Sequence, residues 1–152
     1  MKKPSYWNKA KKHLSKKDKV MKKLILTYKD VTLTTRRDIF FSLVKAVCGQ
    51  QLSTKSADAT FNRLRNKCKG KINPNVINKL SLTSLRRCGL SRMKALGLKD
   101  ISKKMITKEF NPSLLKKMND EDAITYLSSL RQIAVWSGMM ILIFTLNRPN
   151  IW

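Results

Sequence analysis

Apolar residues along most of the chain recur at helical spacing, and no alternating strand pattern of useful length appears. Ile39, Phe40, Leu43, Val44 and Val47 fall on one side of a helix beginning near Arg36. Asn73-Pro74 and Asn111-Pro112 each join a capping side chain to a proline at the first helical position, which predicts two further helix starts. A short helix through Leu85 and Arg87 should stop at Gly89, with Ser91 capping the helix that follows. Asn119, Asp120, Glu121 and Asp122 open a helix running to about Leu130, where negative charge suits the macrodipole. From Val135 to about Leu146 the sequence is apolar almost all round, which predicts a helix buried in the centre. The expectation is an all-α fold, a compact bundle of about eight to ten short helices. It forms one domain over 1–152, with residues 1–23 a basic N-terminal segment.

Charge narrows the partners. Lysine and arginine total 33 against 9 acids, a formal net charge of +24, which points to a polyanion and first of all to nucleic acid. A genome that favours Lys and Asn codons would also raise the count, and the charge would still attract phosphate. A basic protein of an anionic membrane shows a similar balance, but the longest strongly apolar stretch, Met139 to Leu146, is too short to span a bilayer. Met1 to Lys23 contains no apolar signal region, so the expected location is intracellular, bacterial cytoplasm or eukaryotic nucleus, with no membrane partner. Cys48, Cys68 and Cys88 stand twenty residues apart with no CxxC spacing, and His13 is the one histidine, so neither a disulfide framework nor a zinc site is expected. The cysteines read as small apolar residues, His13 as solvated, and the acidic run as a helix cap rather than a metal site.

Leu130 to Gly138 joins the acidic-capped helix to the apolar one through very few residues, a helical hairpin. The second helix opens with unpaired backbone N–H groups at its positive end, which suits a DNA phosphate without regard to base sequence.

Three segments in order, Val47-Cys48-Gly49-Gln50-Gln51-Leu52-Ser53, Gly89-Leu90-Ser91 with Lys94-Ala95, and Leu130 to Gly138, resemble the helix-hairpin-helix DNA glycosylases of the 3-methyladenine type. The likeness runs from about Tyr6 to Trp152. It implies that Gln51 is the wedge that enters the duplex and fills the gap left by a flipped nucleotide, a task a flat amide suits. The alternative is a glutamine that caps or braces the helix starting near Ser53. Gln50, Gln51, Ser53, Gln132, Ala134 and Ser137 are the implied DNA-binding residues. Trp136 falls where relatives that also cut the backbone place a lysine. Tryptophan forms no Schiff base, but it offers an aromatic face to a cationic alkylated purine in the base pocket, or else it simply packs in the core. Family hairpins carry glycines where this chain has Gln132 and Ala134. The family's catalytic aspartate is expected a few residues beyond the segment 146–152, so no catalytic residue is assigned within the chain and the 152 residues are expected to be inactive alone. The implied activity is hydrolysis of the N-glycosidic bond of alkylated purines in double-stranded DNA, by a monomer, with no cofactor or metal in the chemistry. A cation bridging the hairpin carbonyls and a phosphate is a further family feature. The alternatives are a non-catalytic DNA-binding module, and a glycosylase for mispaired adenine or oxidised bases.

Overall fold

The computed structural model describes residues 3–34 and 38–151, and among these the regular structure is entirely helical. Nine α-helices and one 3-10 turn follow each other: α1 (Trp7–Lys17), α2 (Lys19–Thr27), α3 (Ile39–Gly49), α4 (Thr54–Lys67), α5 (Pro74–Lys79), α6 (Leu82–Arg87), α7 (Arg92–Ile106), the 3-10 turn Pro112–Lys116, α8 (Asp120–Ser128) and α9 (Val135–Phe144). Arg36 lies outside the described residues; α3 itself starts at Ile39, with the Asp38 carboxylate accepting from the Phe41 N–H.

Local chemistry sets most of the boundaries. Asn73 caps α5 ahead of Pro74, Asn111 caps the 3-10 turn ahead of Pro112, and Asn119 caps α8. α6 ends at Arg87 with Cys88 as its C-cap, Gly89 takes φ +97°, and Ser91 caps α7. An added Cβ at Gly89 would stand 2.6 Å from the Arg63 guanidinium, so both backbone angle and space call for glycine.

The apolar faces of α3, α4, α7, α8 and α9 meet in one core built around Leu43, Leu64, Leu98, Leu127 and Leu142. Gly138 lets α9 approach α8, since a Cβ there would already touch Leu127 at 3.5 Å.

Two expectations are corrected. α9 is not buried all round: Gly138, Ile141 and Leu142 face the core, while Val135, Trp136 and Phe144 are exposed. An all-apolar helix has no polar face to mark its solvent side, so only its neighbours determine it. α8 stops at Ser128, and Leu130 turns inward to close the corner instead of extending the helix. The basic N-terminal segment forms most of a helical pair, α1 against α2, because Trp7, Ala10 and Leu14 meet Met21, Leu24 and Tyr28 across it. His13 is exposed on α1. The three cysteines are buried thiols, Cys48 inside α3 and the others at the C-caps of α4 and α6.

Candidate nucleic-acid interface

Three corners of the chain converge on one open cleft of about 780 Å³: the α3–α4 loop with Gln51, the start of α7 with Ser91 and Lys94, and the hairpin with Gln132, Ala134, Trp136 and Ser137. Each owes its position to a specific packing device.

The α3–α4 loop is held from two sides. The Gln50 amide nitrogen donates to the Gln132 carbonyl at 2.6 Å, tying the loop to the hairpin. Lys94 donates its ammonium to the Gln50 carbonyl at 2.6 Å and the Cys48 carbonyl at 3.4 Å, occupying acceptors that α3 leaves open at its negative end. Gln51, next in line, stands exposed at φ 55° and makes no hydrogen bond from its side chain to the described residues. The cap of α4 is Ser53, which accepts from the Ser56 N–H at 3.4 Å.

The hairpin is seated on α7. Gly97 leaves room for Gln132, whose Cγ would lie 2.5 Å from an added Cβ, and Gln132 itself takes φ 70°. A non-glycine residue in that region costs about 1 kcal/mol. The Ile133 N–H closes the turn on the Leu130 carbonyl at 3.0 Å. α9 then opens at Ala134 without a side-chain cap, whereas α2 to α8 each have one. Ala134, Val135 and Trp136 are exposed, so the positive end of the helix faces outward. Trp136, with 58% exposure, is not a core residue. At this turn the Gln132 carbonyl already accepts one hydrogen bond, from the Gln50 amide. Among the described residues no group of three His, Cys, Asp or Glu side chains is gathered for a metal ion.

The cleft therefore brings together Gln50, Gln51, Gln132, Ala134, Trp136 and Ser137, while Ser53 stands beyond its edge as a cap. Among the described residues no acid borders it. The sequence reading passed over two supports. Lys94 appeared only as part of a motif, although a lysine one turn into a helix that packs across another helix's end is a recognisable clamp. Arg148 had no local signal: its guanidinium meets Asp120 at 2.6 Å and donates to the Met118 carbonyl at 2.8 Å and to the Leu115 carbonyl, pinning the turn after α9 to the start of α8.

Residues 44–150 match the model of the HhH-GPD superfamily base excision DNA repair proteins. The chain belongs to this superfamily. It is 32% identical over 153 residues to DNA-3-methyladenine glycosylase 1 of Schizosaccharomyces pombe, and 26% identical over 157 residues to the alkylbase DNA glycosidase-like protein mag2 of that yeast. The matches take in 94% and 99% of the chain, and 65% and 74% of those proteins, so the chain spans less than two thirds of the first relative's length. Among solved structures, the 3-methyladenine DNA glycosylase of Schizosaccharomyces pombe in complex with abasic DNA superposes with a TM-score of 0.78 at 30% identity, covering 92% of this chain and 71% of that one. The DNA-3-methyladenine glycosidase of Bacillus halodurans gives 0.75 at 26% identity, covering 80% and 57%.

Proposed function

We propose that this HhH-GPD chain is the DNA-gripping and base-flipping core of a base-excision N-glycosylase for alkylated purines such as 3-methyladenine, acting on double-stranded DNA. The observation that carries the reading is the joint position of Gln51 and Trp136 on one cleft, both exposed, beside the uncapped end of α9.

In this reading backbone phosphates sit at the N-terminus of α9, where helix polarity and outward-facing N–H groups attract an anion without reading sequence. Gln51 enters the stack where a base has left, its flat amide filling the gap and hydrogen-bonding the orphaned partner. The flipped base meets the face of Trp136, and an alkylated, positively charged purine gains from that contact where a neutral one does not. The same charge makes the base a good leaving group, so cleavage asks mainly for a carboxylate to stabilise the cation-like sugar and direct water. Trp136 forms no Schiff base, so the reaction ends at an abasic site without cutting the strand.

That the described residues lining the cleft include no acid favours a second reading, a DNA-binding module without catalysis. Base release from methylated DNA separates the two. Free 3-methyladenine released at an enzymatic rate supports the glycosylase and means that a carboxylate reaches the cleft; tight binding to abasic duplex without release supports the module. No binding to duplex DNA overturns both.

A further inference from the structure

Between Asp58 and Asp100 the chain carries eleven lysines and arginines and no acid. Folding concentrates part of this charge. A surface groove between the C-terminal half of α4 and α6 is bordered by Arg63, Lys67 and Arg87, and a second hollow, which shares Arg87 with it, by Arg86, Arg87 and Ser91. Ser91 also borders the cleft of Gln51 and Trp136, so this basic surface lies beside the candidate DNA site.

The four cations are exposed, and none takes part in an ion pair among the described residues. Arg63 is nonetheless fixed: its Nε donates to the Cys88 carbonyl at 2.9 Å and its Nη2 to Thr60 Oγ1 at 3.2 Å. Gly89 makes room for that guanidinium, which a Cβ would meet at 2.6 Å. The buried Cys88 thiol on the floor feels the field, since burial raises its pKa while Lys67 and Arg63 pull it down. The macrodipole of α6 accounts for basic residues in its last turn, but not for those on α4 facing them. Converging like charges repel unless an anion lies among them, and a row of cations beside a DNA cleft fits a row of phosphates.

We propose that this groove takes the backbone phosphates of the duplex arm that continues past Gln51, extending the DNA footprint from the hairpin across α4 and α6. The inference rests on the reading that the Gln51 cleft holds DNA. α4 is 14 residues long and runs about 21 Å, the length of about six base pairs, so an arm of that size reaches Lys67.

The test is binding of the full chain to duplexes with one abasic site, at several salt concentrations. One duplex has arms of about twelve base pairs, and two others are cut to about three base pairs on one side or the other, half of the estimated reach. Arg86→Gln with Arg87→Gln should make the slope of log affinity against log salt shallower by about two on the long duplex. On one of the shortened duplexes the variant should match the wild type. Circular dichroism confirms that the exposed substitutions leave the helices intact. An unchanged slope on the long duplex, or the same loss on all three, overturns the groove while leaving the Gln51 reading standing. Failure of the wild-type chain to bind any of them overturns both.

Discussion

The side-chain amide of Gln50 reaches across 82 residues of sequence to the backbone carbonyl of Gln132, at 2.6 Å. The candidate wedge loop and the hairpin are thereby one unit, and Lys94 fastens that unit to α7. Gln50→Ala should leave the half-buried Gln132 carbonyl without its partner, at a cost of about 1–3 kcal/mol. Thermal melting should show it as a Tm lower by several degrees. Affinity for abasic duplex should fall as well, because Gln51 loses its anchor; unchanged affinity with a lowered Tm would make Gln50 a packing residue only.

Gln51→Ala separates wedge from scaffold. The side chain is exposed and makes no hydrogen bond to the described residues, so stability should hold. Binding to abasic duplex should weaken severalfold more than binding to intact duplex, since a wedge acts only where a base has left the stack. Fluorescence anisotropy on the two duplexes reads the ratio, and equal losses would count against the wedge.

Gly97 and Gln132 should be coupled. Gly97→Ala puts a Cβ 2.5 Å from Gln132 Cγ and 3.4 Å from the Arg131 carbonyl, which should cost about 1–3 kcal/mol through overpacking. Gln132→Gly removes the crowded side chain and the strain at φ 70° together. Chemical denaturation of both single variants and the double should show the pair to be non-additive, with the double more stable than Gly97→Ala alone.

Burial pushes the Cys48 thiol up from 9.0 to about 12, against the opposing pull of Lys94. The folded thiol holds its proton where the unfolded one releases it, so its contribution is complete below pH 9 and is lost as pH rises toward 12. Melting curves from pH 7 to 11 should fall more steeply for the wild type than for Cys48→Ala, a comparison that isolates this thiol from other groups titrating at high pH. Parallel curves would refute it.

Arg148→Ala should destabilise the chain by about 2–3 kcal/mol, because the Leu115 and Met118 carbonyls lose a shared donor and Asp120 its partner. Most of that loss belongs to the carbonyls, since Asp120 is 45% exposed and its ion pair is screened by water. Arg148→Lys should recover only part of it, an ammonium lacking the planar fork that reaches three acceptors. Urea unfolding measures both.

Several helix starts were legible in the sequence because their caps are local: Asn73, Ser91 and Asn119 each accept from an N–H three residues on, so a short window contains cause and effect, although the equally local caps Asp18 and Ser81 went unread. Gln51 and Trp136 were legible as candidates through the family's motif order. Their shared cleft was not, because it depends on Gln50 meeting Gln132 and Gly97 receiving Gln132, contacts between distant segments. The exposure of Trp136 escaped for a different reason. In a helix with no polar stripe, nothing in the residues themselves says which side the core will take.

Because Lys94 and Gly97 stand one turn apart on the same rigid helix, the wedge loop and the hairpin they hold are set at a fixed span. On the proposed function the chain would work as a gauge. DNA would have to conform to its jaws, and a duplex already softened by a lesion conforms at less expense than an intact one, so recognition would begin with the mechanics of the double helix before any base is seen.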